Sequence, residues 1–238
     1  MTDAKLNDSR TPNARTDIES DADRLLQARL QAVETADSAQ SMLDAVEALA
    51  ELKHQGAIDM LIRVLGYNNP GAAVAAVDGL IQLGTPAASA LLSQIDGYNY
   101  GARAWALRVL AGSGDPRGLD LILETAAEDF SLSVRRAAAR GLGAIQWDKM
   151  EKAERRNAQV KARDTLLRIV DADPEWVVRY AAVTGLQGVA VAADHEGYGG
   201  LIAPIAACLR NLVVSDDALV VQARADWAIA QLPAQIST

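Results

Sequence analysis

Residues 98–147 read YNYGARAWALRVLAGSGDPRGLDLILETAAEDFSLSVRRAAARGLGAIQW, and this stretch decides the fold. Apolar and small residues recur at helical spacing from Tyr100 to Ala111, from Pro116 to Ala127 and from Leu132 to Ile145. Gly114-Asp115 and Glu128-Asp129 punctuate them. The stretch is therefore the second helix of one repeat followed by both helices of the next. It also concentrates unusual side chains: Tyr98, Asn99 and Tyr100, the tryptophans Trp105 and Trp147, and Arg103, Arg135, Arg136 and Arg140.

The same second helix recurs on either side. Ala48-Leu49, Gly79-Leu80, Val109-Leu110, Gly141-Leu142, Gly185-Leu186 and Ala228-Ile229 occupy one repeated position, at spacings of 31, 30, 32, 44 and 43 residues. A first helix lies between successive copies. The predicted pairs are Asp23 to Val33 with Met42 to Leu52, Ala57 to Leu65 with Gly71 to Leu83, and Pro86 to Ile95 with Tyr100 to Ala111. Pro116 to Ala127 then pairs with Leu132 to Ile145, Asn157 to Val170 with Glu175 to Val189, and Leu201 to Val213 with Ala218 to Leu232. Prolines 70, 86, 116 and 174 mark helix starts, Asp115 and Asp173 serve as N-caps, and glycines 66, 84, 97 and 114 mark helix ends. Helix pairs at this period predict an all-α, right-handed HEAT-like solenoid of about six pairs. It spans residues 23–238, after a polar tail (1–22) expected to fray. The longer spacing after Trp147 is an insertion of alternating charge, expected as a solvated helix extension or loop.

Composition agrees. Half of the 238 residues are hydrophobic but 4% are aromatic, as suits closely packed small helices. The net charge of −8 argues against a nucleic-acid partner, which would need a basic face. No run of 18 apolar residues predicts a membrane span. The one cysteine, Cys208, allows no internal disulfide and fits a reducing, cytoplasmic setting. Set in an apolar helix, it reads as an inert thiol. His54 and His195 stand apart and read as surface histidines, so no metal site is expected. No phosphate loop, HExxH or nucleophile elbow is present.

The cations divide into two classes. Arg103, Arg135 and Arg179 fall in repeat register, and Asp129 and Asp173 precede the last two by six residues. That recurrence predicts an Asp–Arg ladder stitching adjacent repeats. Arg136 and Arg140 lie four apart on one helix face, outside that register. They suit an anionic ligand bearing carboxylates, or a solvated face paired with neighbouring acids. Tyr98, Asn99, Tyr100, Trp105, Trp176 and Tyr180 are candidates for a flat apolar ligand or a protein partner, while Trp147 reads as a core filler.

Four strings carry a resemblance: NPGAAVAAVDGL (69–80), DGYNYGARAWA (96–106), SLSVRRAAARGLG (131–143) and DPEWVVRYAA (173–182). Over Leu43 to Val189 the chain resembles the E/F-type phycobilin lyases, with its nearest likeness to the F-type subunits that act on the phycocyanin α subunit. The resemblance implies that the second helices line a concave face. It implies a heterodimer with an E-type subunit that attaches phycocyanobilin through a thioether to a cysteine of the phycocyanin α subunit. Phycocyanobilin is then a substrate and no cofactor is held permanently. Tyr98, Asn99, Tyr100, Arg103, Trp105, Arg136, Arg140, Trp176, Arg179 and Tyr180 become bilin-binding candidates, and no catalytic residue is singled out. The chain lacks an Asn-His-Cys string, which argues against bilin isomerisation. A non-catalytic scaffold, or a chaperone-like binder of bilins or phycobiliproteins, is the other class left open.

Overall fold

The structure is a computed structural model describing residues 14–94 and 100–232. Its described residues form twelve α-helices and no strand, arranged as a right-handed solenoid of six antiparallel pairs. The pairs are α1 (Ala14–Glu34) with α2 (Ala39–Ala50), α3 (Ile58–Val64) with α4 (Pro70–Leu83), and α5 (Thr85–Gln94) with α6 (Tyr100–Ser113). They continue as α7 (Leu119–Glu128) with α8 (Leu132–Leu142), α9 (Lys152–Ala172) with α10 (Trp176–His195), and α11 (Ile202–Ser215) with α12 (Leu219–Ala230).

The repeated dipeptides explain the stacking. Leu49, Leu80, Leu110, Leu142 and Leu186 are each fully buried and form the spine of the core. Where a glycine precedes the leucine, at Gly79, Gly141 and Gly185, it faces the preceding even-numbered helix. A Cβ on Gly79 would lie 2.7 Å from Ala50 Cβ, and one on Gly141 would lie 2.5 Å from Ala111 Cβ. On Gly185 it would meet Ala139 O at 2.4 Å, and on Gly188 Gly143 O at 2.2 Å. The even helices thus approach one another more closely than their bulkier neighbours allow on the odd side. That difference bends the stack so that the even helices line its inner face.

Gly188→Ala is expected to cost about 1–3 kcal/mol, because the obstructing atom is a backbone oxygen that no rotamer change can move. Gly199→Ala, with open space around its Cβ, is expected to be near neutral. Urea midpoints of the two variants against the parent chain check this pair.

Several boundaries differ from the sequence reading. α1 starts at Ala14, so residues 14–22 of the expected tail are helical, while 1–13 lie outside the described residues. Both Ala57 to Leu65 and Pro116 to Ala127 open on a 3-10 turn, Gln55–Ala57 and Pro116–Gly118. His54 caps the first through Nδ1, which accepts from the Gly56 N–H at 3.0 Å, and so has a structural task. Asp115 caps the second, accepting from the Arg117 N–H at 3.0 Å. The insertion is a 3-10 turn, Trp147–Lys149, followed by added N-terminal turns of α9. Trp147 is a core filler as expected, 4% exposed. Gly114 ends α6 at φ +63°, and a Cβ there would lie 2.2 Å from Ala144 O, so this end requires glycine. α10 has the length and hydropathy of a membrane span, but half of that apolar window is buried inside the solenoid.

The Asp–Arg ladder is present with a different wiring. Asp173 and Asp216 each turn one oxygen inward, accepting from the backbone N–H two residues on, at 2.9 Å from Glu175 and 2.8 Å from Ala218. Each carboxylate also receives a two-pronged guanidinium from the preceding repeat. Arg135 Nε donates to Asp173 Oδ2 at 2.7 Å and Nη2 to Oδ1 at 3.2 Å. Arg179 does the same to Asp216, at 2.8 and 2.9 Å, and also reaches Asp217. The aspartate six residues earlier contributes its backbone carbonyl instead: Asp129 O to Arg135 and Asp173 O to Arg179. Arg135 therefore pairs forward with Asp173, not with the Asp129 carboxylate. Gln222 occupies the next register position and keeps the backbone bond, to Asp216 O at 2.7 Å, without the charge.

Candidate ligand-binding groove

Three even helices build an open groove on the inner face. α8 contributes Arg136 and Arg140, α10 Tyr180, Ala181 and Thr184, and α12 Val220, Ala223, Arg224 and Trp227. The positions follow helical spacing, so each helix offers one stripe. The groove encloses about 720 Å³. It runs into a second hollow of about 580 Å³ that shares Arg140, Thr184, Arg224 and Trp227 and extends to Gln187, Val191 and His195. Volumes of this order suit a small organic ligand. The floor is made of alanine and glycine because α8 and α10 touch backbone to backbone there.

The electrostatics are one-sided. No Asp or Glu lines either hollow. Neither α6 nor α8 carries an acid along its length. Arg136 and Arg140 are exposed, and neither is among the ion pairs of the described residues. Of their two sequence readings, the face paired with neighbouring acids is therefore not what the structure shows. Arg108, on α6, stacks on Trp105 at 4.3 Å. Burial and the nearby charge of Arg136 both push its guanidinium below its ordinary pKa. Positive charge is thus gathered on the inner face of a −8 protein without local compensation.

Arg224 was not singled out from the sequence, yet it stands at the centre. Its Nε donates to Thr184 Oγ1 at 3.2 Å and Nη2 to Gln187 Oε1 at 2.7 Å. The Trp227 ring lies 4.6 Å from the guanidinium carbon and the Tyr180 ring 5.9 Å. Nη1 is buried without a hydrogen-bond partner. Burial pushes the pKa of this half-buried cation down. The signal that could have found it is the i, i+4, i+7 run Val220, Arg224, Trp227 on one face.

The other candidates separate. Tyr180 lines the groove with Arg136 and Arg140. Trp176 is 48% exposed one turn earlier, at the mouth of α10 and outside the groove lining. Arg179 gives its donors to the ladder and is 8% exposed, so the structure makes it a ladder residue and leaves it no free donor face for a ligand. Arg103 and Trp105 are half-buried on α6, away from the groove lining. Tyr98 and Asn99 lie outside the described residues, and Tyr100 begins α6. Cys208 is half-buried, and burial pushes its thiol up to about 11, so it stays protonated near neutral pH. No group of three or more metal-ligating side chains occurs among the described residues.

Known proteins bear on this groove. The HEAT repeats family matches residues 88–187. The phycocyanin alpha phycocyanobilin lyase CpcF of Synechocystis sp. (strain PCC 6803) is 50% identical over 84% of this chain and 91% of its own length. A phycobilisome maturation protein of Synechococcus elongatus is 51% identical over 86% of this chain and 97% of its length. Among solved structures, the complex of CpcE and CpcF of phycocyanin lyase from Nostoc sp. PCC7120 holds a chain 47% identical, with a TM-score of 0.65. The match covers 74% of this chain and 99% of that one.

Proposed function

This chain belongs to the E/F-type phycobilin lyase family, and from that membership we infer that it is the F-type subunit of a heterodimeric phycocyanobilin lyase. The enzyme attaches the bilin to a cysteine of the phycocyanin α subunit. The observation that carries this reading to the site is the acid-free groove, with Arg136 and Arg140 on one wall and the Tyr180 and Trp227 rings on the other. A linear tetrapyrrole is flat, apolar and doubly anionic, and the groove offers aromatic faces and uncompensated guanidinium groups to match.

The reaction asks for positioning more than for a strong catalyst. The acceptor thiol adds across the ethylidene double bond of the bilin's first ring: the S–H bond breaks, a C–S bond forms, and the proton passes to the conjugated system. Nothing is oxidised and no group departs. Holding a floppy bilin in one conformer beside the sulfur can supply much of the rate. The sulfur comes from the acceptor protein, and the protonated Cys208 of this chain takes no part.

The E-type subunit completes the site. The groove is open along its length, and the last repeat leaves Val214, Leu219, Val220 and Trp227 from 48% to 79% exposed, an apolar surface for a partner. Mixing the two chains is expected to give one peak at the heterodimer mass in size-exclusion with light scattering. Two monomer peaks at micromolar concentration would count against it. Co-expression with the E-type chain, phycocyanin α subunit and bilin-synthesis genes tests the function. A covalent, zinc-fluorescent adduct that needs both chains supports the lyase; reversible binding alone points to a chaperone-like binder.

A further inference from the structure

We infer that Arg224 is a carboxylate anchor kept under the Trp227 ring, released when a ligand brings a flat apolar ring system and a carboxylate together. The inference deepens the lyase reading and rests on it for the choice of probe. Three observations carry it. Arg224 is a half-buried cation, and no acid in the lining of either hollow compensates its charge. Such a charge is costly to hold unless something later pairs with it. Two neutral acceptors, Thr184 Oγ1 and Gln187 Oε1, fix the guanidinium plane while leaving Nη1 without a partner. That nitrogen has no accessible surface, although the indole 4.6 Å away is itself 53% exposed.

A carboxylate alone meets the indole and cannot reach Nη1. A ring system alone stacks on the indole but gains no ion pair. A ligand with both draws Trp227 onto its own plane, and the uncovered guanidinium closes on the carboxylate. The groove then selects for the combination, and small cellular dicarboxylates do not occupy it.

The test compares phycocyanobilin with its dimethyl ester, which keeps the rings and loses both charges, followed by bilin absorption and tryptophan fluorescence on the full chain. Arg224→Gln is expected to lower the preference for acid over ester by about tenfold to a hundredfold while ester affinity holds, and to do so also in a chain lacking Arg136 and Arg140. Arg224→Lys, which keeps the charge without the planar fork, should recover part of the preference and serves if the glutamine variant is poorly folded by circular dichroism. Trp227→Ala should let succinate compete with the bilin, as it does not in the parent chain. An unchanged acid-to-ester ratio in Arg224→Gln, or a Trp227→Ala chain still closed to succinate, overturns the inference. If the parent chain and its E-type partner still form the covalent adduct in that event, the lyase reading stands. If the parent chain neither binds bilin nor supports attachment, both fall.

Discussion

Arg179→Ala is expected to remove about 3–5 kcal/mol of folding stability, since it strands a buried carboxylate. The Arg179 and Asp216 side chains are 10% and 3% exposed, so little solvent remains to replace the lost partner. The carbonyls of Asp173 and Pro174 lose their donor in the same change. The pH dependence separates this loss from simple under-packing. Burial pushes the Asp216 carboxyl up, but the Arg179 hydrogen bond, the Ala218 N–H and the Arg179 charge outweigh it and hold the pKa below the ordinary range. A carboxyl depressed in the folded state contributes fully above its unfolded value, near ~3.9, and loses that contribution as pH falls toward the folded value. Urea midpoints should therefore separate parent and variant widely at neutral pH, and the gap should narrow below pH ~3.9. A gap that stays constant with pH would refute the ion-pair account.

Replacing both Arg136 and Arg140 by alanine is expected to act on the other axis. A charge-assisted contact to a carboxylate contributes about 1.5–3 kcal/mol, which corresponds to about tenfold to a hundredfold in affinity for each arginine. Bilin attachment should fall about a hundredfold or more in the double variant. Stability should change little, because both side chains are exposed and give no ion pair to the fold. Initial rates of adduct formation, read beside a thermal melt of each chain, check both halves. Attachment at the parent rate would move the propionate anchors elsewhere in the groove.

Much of the fold was legible because its cause is local. A glycine or alanine before a leucine at four of the six repeated positions states that one helix face must pass close to another, and the Cβ distances at Gly79, Gly141 and Gly185 give the reason. Helix starts shifted where 3-10 turns precede the helix proper, since the proline or glycine that marks a start does not distinguish the two. The ladder was legible in composition but not in wiring. A six-residue Asp-to-Arg spacing is the same whether the guanidinium meets the earlier carboxylate or that residue's carbonyl, and only packing between repeats decides. Of the candidate groove, the Arg136–Arg140 face was readable from spacing, and Tyr180 from its place among the few aromatic residues. Trp176 was grouped with Tyr180 although a four-residue step along α10 carries it from the groove to the rim. Arg224 escaped because it lies two residues beyond the register of Arg135 and Arg179, a position that Gln222 occupies.

The ladder also gives the molecule a direction. Its two rungs tie the fourth pair to the fifth and the fifth to the sixth. Arg103, the register arginine of the third pair, has no described ion pair. The first two pairs are linked by a neutral bond, from Asn69 Nδ2 to Ala39 O at 2.9 Å, and by a solvent-exposed ion pair, Arg63 to Glu34 at 3.5 Å, which contributes little. In a linear array, cohesion is a sum over neighbouring interfaces, so the array yields first where its interfaces are weakest. A front of local unfolding advancing from α1 meets only the exposed Arg63–Glu34 pair, and no buried ion pair between repeats, until it reaches the interface that Arg135 and Asp173 lock. The walls of the groove, α8, α10 and α12, all lie at or behind that barrier. The half of the molecule that carries the groove can thus keep its shape while the other half breathes.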